Sequence, residues 1–271
     1  MLKQWQQLVD ENESHQNVIE WAYPLSEGVY LPTPLSSLEM ALAVEADSLL
    51  KLFPGSKYSV FPEDAFSYFV NGEDAYALGW MQYMMFRFSN TIGWTSYTDS
   101  LVDEPHIDLR RIVRLMDKDP KKRIAQIKDS NPEGVAVAIQ TNAEDELNEV
   151  LLPVLKKGGI LINITVLPIE QDFILSLSSC FKDIKLIRPF WTTSAMLSIV
   201  ILVGIDYTGA PMIPANKKQK LSTSYLESEK EVLESMLIQQ RYIKSISKKD
   251  ITKQSPVFLQ FLTEGYSTWN I

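Results

Sequence analysis

The 271 residues include few of the types that do chemistry: two histidines, His15 and His106, and a single cysteine, Cys180. Neither histidine has metal-ligand spacing to Cys180, so no metal site is expected. Cys180 lies among apolar, helix-patterned residues and reads as core rather than nucleophile. No G-x-G-x-x-G and no phosphate-loop motif occurs, which argues against NAD and nucleoside-triphosphate enzymes. Charge is the more informative feature. Arg110, Arg111, Arg114, Lys118, Lys121, Lys122 and Arg123 crowd into residues 110–128, which hold eight basic and two acidic side chains. Arg110, Arg114 and Lys118 recur at i, i+4 and i+8, predicting one face of a helix that Pro120 breaks. Such a patch suits phosphate contacts with RNA, a basic surface docking on an acidic protein, or simply a solvated helix. Residues 1–109 carry 4 basic and 16 acidic side chains and could face a basic partner. The total of −8 excludes a broad nucleic-acid-gripping face and leaves a local one.

Hydrophobic residues at 45% and charged residues at 22% are those of a globular chain that can fill a core. The lone cysteine permits no internal disulfide and fits a reducing, cytoplasmic setting. The first residues lack a signal-peptide core, and no apolar run reaches membrane-spanning length. The organisation expected is an N-terminal extension (1–36), a central α/β domain (37–210) and a C-terminal helical segment (211–271). The prolines Pro24, Pro32 and Pro34 break up the extension after a short helix at Trp5–Val9. Leu38, Leu42, Leu49 and Leu50 predict a helix, and the stretch KYSVF a strand. Between residues 73 and 98 aromatics and methionines are dense, which reads as core packing or as a binding surface.

The second half is clearer. GVAVAIQ (134–140) predicts a buried strand. Thr141-x-x-Glu144 has the form of a capping box, and Leu147, Val150, Leu151 and Val154 follow at helical spacing. Lys156 and Lys157 suit that helix's C-terminus, with Gly158 as its left-handed cap. Residues 160–167 predict the next strand, and Phe173, Leu177 and Phe181 a helix. Two strands, 184–190 and 197–205, follow with a gap too short for a crossover helix, so they should be antiparallel neighbours. Leu226, Val232, Leu233, Met236, Leu237 and Ile243 predict one amphipathic helix, and Pro256–Phe261 a second, short one. The fold class expected is α/β: a Rossmann-like class I methyltransferase sheet ending in an antiparallel hairpin, with an N-terminal extension and C-terminal helices.

Local motifs carry a resemblance to a known family. LLPVLKKGGILINIT and FKDIKLIRPFWTTSAMLSIVILVGI are similar to the closing elements of the FtsJ-like RNA 2′-O-methyltransferases, cap methyltransferases of viruses and eukaryotes among them. VFPEDAFSYFV resembles that family's cofactor loop, A-P-G-G-F-S-x-Y-L, with Pro62, Phe66, Ser67 and Tyr68 in place after a one-residue shift. The likeness spans about residues 50–207, and some viral members carry a similar helical tail. It implies S-adenosylmethionine as cofactor, held at Pro62, Glu63, Asp64 and Phe66 if that loop is functional, and RNA as substrate.

The departures shape the functional expectation. Glu63 and Asp64 stand where the family has glycines, crowding the turn and repelling the cofactor's carboxylate. The family's Lys-Asp-Lys-Glu set is missing. Its positions fall at Leu38–Ala41, at Gln140 or Thr141, at Asn163, and around Met196–Ser198. An amide cannot take the proton of a ribose hydroxyl. Lys51, Lys57, Asp99, Asp103 and Glu144 are the nearby residues that could substitute. The reading is a methyltransferase-like domain without catalysis or cofactor, acting as a scaffold or partner subunit in an RNA-processing or capping assembly. An active S-adenosylmethionine-dependent RNA 2′-O-methyltransferase with divergent motifs is the alternative.

Overall fold

The structure is a computed structural model describing residues 66–71, 80–81, 94–99, 109–141, 147–188, 199–216 and 219–246, with residues 1, 3, 4, 7 and 8. Seven strands make one sheet: β1 (Phe66–Asn71), β2 (Trp94–Thr98), β3 (Ile112–Arg114), β4 (Val135–Gln140), β5 (Leu155–Val166), β6 (Phe181–Ile187) and β7 (Ile199–Tyr207). Their order is β3-β2-β1-β4-β5-β7-β6. The first five run parallel to one another, while β7 runs antiparallel between β5 and β6. That is the Rossmann-like sheet of class I methyltransferases, with the antiparallel closing hairpin expected from the sequence.

Burial explains why β4 was the most legible strand. All six residues of VAVAIQ are buried, as a parallel strand covered on both faces requires. One face joins Phe69, Ala138 and Leu161 to Ile127 of α1 (Pro120–Ser130) and to Leu147, Leu151 and Val154 of the helical stretches Leu147–Leu151 and Leu152–Val154. On the other face lie Tyr68, Val70, Val137, Ile139, Ile160 and Ile162, with Trp80 and Met81 also buried. Tyr68 stacks near Trp80 and Trp94, with ring centroids 5.7 and 6.3 Å away. The described members of the aromatic and methionine segment, Trp80, Met81, Trp94 and Tyr97, are therefore core. Each side chain so buried contributes about 1.5–3 kcal/mol over its exposed state.

The outer hairpin is closed by α3 (Thr223–Ile246). Tyr225, Val232, Leu233, Met236 and Leu237 enter the same core as the sheet, whereas Leu226, expected on that face, is 47% exposed. Tyr225 precedes Val232 by two turns and shares its stripe, as the 3.6-residue period requires. Ser228 Oγ accepts from the Leu186 amide at 2.9 Å, and Ser224 Oγ donates to Asp183 at 3.0 Å. These bonds fasten the helix to edge strand β6. Between the two runs, Gly204 of β7 leaves room for the Phe181 ring, which a Cβ there would meet at 2.8 Å.

Several boundaries differ from expectation. Phe181 begins β6 rather than closing a helix; α2 spans Gln171–Leu177. Lys156 and Lys157 lie in the extended start of β5, because the helical turn stops at Val154. Gly158 does adopt positive φ, +78°, beside an irregularity in the β4–β5 pairing. Arg110, Arg114 and Lys118 do not share a helix face. Arg110 sits in a 3-10 turn, Arg114 ends β3 and Lys118 lies in a bend. Pro120 starts α1 instead of breaking it, because a proline at the first helical position forfeits no hydrogen bond. Asp119 caps that end, accepting from the Lys121 amide at 2.9 Å. The expected helix after Ser37, the KYSVF strand and the helix at 256–261 lie outside the described residues.

Two glycines should respond differently to a methyl group. Gly134 has φ +92°, and its Cβ would collide with the Val154 carbonyl oxygen. Gly158 has only Asp206 Oδ1 within reach, at 3.9 Å. Gly134→Ala should cost about 3 kcal/mol or more, and Gly158→Ala about 1–2, in urea denaturation. Equal losses would count against this packing.

Candidate functional site

Parallel pairing puts the carboxyl ends of β1 to β5 on one edge, and the chain order reverses there between β1 and β4. In open α/β sheets that crevice is where ligands bind. Here it carries a row of neutral amides. Asn71 is the last residue of β1, Gln140 the last of β4, and Asn163 lies opposite Gln140 on β5. Residues in register in a sheet share a face, so the three stand side by side. They are 3%, 1% and 1% exposed.

A cation ties the row to the helix that covers it. Arg123 of α1 is buried, and its Nη1 donates to Asn71 Oδ1 at 3.0 Å. Asn71 Nδ2 donates to Gln140 Oε1 at 2.8 Å. Past β2, the half-exposed Asp99 lies 3.8 Å from the same Nη1, which offsets the buried charge. The Thr141 amide donates to Asn71 O at 3.1 Å, carrying the β1–β4 ladder one residue beyond the strand. Asn163 Nδ2, by contrast, is buried and has no partner among the described residues.

The other predicted residues divide between core and rim. Lys121 and Lys122 project from α1, and Lys122 pairs with Asp117 at 3.0 Å. A backbone hydrogen bond from Asp119, and then Lys122, hold the Asp117 carboxyl below its usual range. Arg110, Arg114 and Lys118 are exposed; Arg111 lays its guanidinium over Trp94, 5.2 Å from the ring centroid. The seven basic residues thus form no single face. Four rim the carboxyl edge after β3 (Arg114, Lys118, Lys121 and Lys122), and Arg123 turns inward.

The cofactor-loop expectation meets a different register. β1 begins at Phe66, so Phe66 belongs to the strand's amino end. In this fold the loop that meets a cofactor follows the carboxyl end of β1, which is Asn71. Pro62, Glu63 and Asp64 precede the strand and lie outside the described residues, as do Leu38–Ala41, Lys51, Lys57, Asp103, Glu144 and Met196–Ser198. Asn71 was missed because FSYFV was read as loop, although an apolar run closing on Asn-Gly is a strand-end signal.

Cys180 is buried, and burial pushes its thiol above the usual range, against any nucleophilic part. Among the described residues no group of histidine, cysteine and carboxylate side chains could hold a metal ion. No described helix is long and apolar enough to cross a membrane.

No protein-family model matches the chain, and no curated protein does. Among solved structures, a protein from Plasmodium falciparum assigned as a ribosomal RNA methyltransferase is 13% identical. The match covers 61% of this chain and 97% of that one, with a TM-score of 0.42. What assigns the fold is the strand order itself. The sheet is methyltransferase-like.

Two measurements check this geometry. Arg123→Met removes the donor from the buried Asn71 carbonyl and should cost about 1.5–3 kcal/mol in chemical denaturation. Lys122→Ala, which breaks only an exposed pair, should stay within about 1 kcal/mol. Cys180 should resist a thiol reagent in the native protein and react at the free-thiol rate once urea unfolds the chain. Fast native labelling would show that the sulfur is accessible.

Proposed function

We propose that the chain is an FtsJ-type methyltransferase-like domain that works as a scaffold or partner subunit in a cytoplasmic RNA-processing or capping assembly, without transferring a methyl group. The observation that carries this reading is the amide row anchored by Arg123. Where the family resemblance puts an aspartate and a lysine, Gln140 and Asn163 stand next to each other on β4 and β5. Neither has a proton to give or take near neutral pH, so the acceptor hydroxyl would find no base there. Arg123 adds a buried positive charge at the end of β1 and β2, an unfavourable neighbour for a sulfonium. Glu63 and Asp64 precede β1 in the chain and play no part in this reading. The basic rim after β3 gives such a subunit a local surface for RNA or an acidic protein.

Active RNA 2′-O-methyl transfer is the second reading, and Asp99 favours it. Its carboxylate stands at the carboxyl edge directly after β2, part-exposed, where a cationic or hydroxyl-bearing cofactor could meet it. The sequence after β1 also opens with Gly72, a residue that lets backbone approach a ligand.

Calorimetric titration of S-adenosylmethionine and S-adenosylhomocysteine into the full chain separates the two. No binding heat at high micromolar ligand is expected. Binding at micromolar affinity would sink the non-catalytic reading and call for methyl-transfer assays on capped RNA.

A further inference from the structure

The chain that leaves β3 is pinned on both sides. The Leu115 amide donates to Thr98 O at 2.8 Å, and the Leu115 side chain is buried in the core. Gln126 Nε2 of α1 donates to Arg114 O at 3.0 Å, and Lys122 of the same helix pairs with Asp117, also at 3.0 Å. Between Arg114 and the bend at Lys118 there is no helix or turn, and burial alternates along the chain. Arg114, Met116 and Lys118 are exposed, Leu115 is buried and Asp117 is half-buried. A period of two is that of an extended chain, so Arg114 and Met116 share one side and Lys118 follows them at the bend. The result is a stripe of cation, thioether and cation on a backbone already held in place.

Both the charge and the apolar surface of this stripe lack a partner. Arg114 and Lys118 make no ion pair among the described residues. The loop's two carboxylates are engaged, Asp117 with Lys122 and Asp119 with the Lys121 amide. Met116 is 73% exposed, more than any other large hydrophobic residue described. One exposed apolar side chain is ordinary, and its neighbours decide what it means here. An anion alone would meet the cations and leave the thioether in water. RNA gains on such a surface by stacking its bases on aromatics. The aromatics of the adjacent strand β2, Trp94 and Tyr97, are buried, and the Arg111 guanidinium already lies over Trp94. A polypeptide with carboxylates on either side of an apolar residue meets all three members at once, on a loop that needs little ordering.

We propose that this stripe binds an extended acidic segment of a protein partner, patterned acidic-x-apolar-x-acidic. The apolar side chain lies on Met116, and the carboxylates reach Arg114 and Lys118. The spacing sets the register, because two extended chains rise by the same amount per residue. The inference rests on the partner-subunit reading and names that partner's chemistry at the basic rim; it does not need the loss of methyl transfer.

The test is fluorescence anisotropy of a labelled synthetic peptide, Gly-Ser-Glu-Thr-Leu-Thr-Glu-Ser-Gly, titrated with the full chain. Replacing both glutamates by glutamine should weaken binding about tenfold, as the loss of two exposed ion pairs allows. Replacing the leucine by serine should weaken it about threefold, and Met116→Ser should do the same to the leucine peptide while leaving the serine peptide unmoved. Lys118→Ala should weaken the glutamate peptide and spare the glutamine one. Both side chains are exposed, so each variant should keep the native circular dichroism, and the peptide replacements test the same contacts with no change to the protein. No anisotropy rise with the parent peptide overturns the inference. So does equal affinity for the leucine and serine peptides, which reduces the stripe to bare cations. Labelled oligouridylate is the RNA probe. If it binds tighter than the peptide, and Lys118→Ala weakens it while Met116→Ser does not, the surface belongs to RNA and the inference falls. Titration with S-adenosylmethionine keeps the two readings apart. Peptide failure without cofactor binding overturns this surface and leaves the non-catalytic reading standing, whereas cofactor binding with the expected peptide pattern overturns loss of catalysis and supports the surface.

Discussion

Parallel strands must all end on the same side, and that constraint governs this molecule. Once β1 pairs with β2 on one flank and β4 on the other, Asn71, Asp99, Gln140 and Asn163 are brought to one edge without any contact between them in sequence. Both faces of the central strands are buried, so polar side chains at that level must find partners or stay costly. Arg123 meets the demand from the side. Its helix lies on one face of the sheet, and its first turn reaches the strand ends, because Pro120 and Asp119 start the helix at that edge.

How legible this was depends on how much of each element's burial is written locally. β4 and β7 are buried on both faces over most of their length, so continuous apolar runs announced them. The antiparallel closing pair followed from connection length alone. β1 is less legible, because two apolar runs, KYSVF and FSYFVN, lie close together and nothing local ranks them. What places FSYFVN in the sheet is its pairing with Val137–Gln140, a partner almost seventy residues away. Pro120 is ambiguous for a different reason: proline is excluded from a helix interior but welcome at its first turn, so one residue can end a helix or begin one.

At the candidate site the sequence supplied residue types but not roles. Gln140 and Asn163 were found by matching motifs, and the sheet brings them together as neighbours. Asn71 carried no such signal. Arg123 was counted with six other basic residues as surface, yet it is the one that turns inward. Composition cannot tell a solvated arginine from a buried one. The difference lies in which helix face meets the sheet, and Ile127, one turn on and fully buried, marks that face.

Replacing ionisable groups by amides changes what an edge can do without loosening it. A carboxylate accepts only and an ammonium donates only, so a row of them needs charges to alternate and holds protons that can move. Amides both donate and accept, and they pass a hydrogen bond along while keeping every proton fixed. With a guanidinium at its head the row acquires a direction, from Arg123 through Asn71 to Gln140. These neutral residues therefore give the edge a polarity. A row whose protons stay fixed can still distinguish the sign of what approaches it.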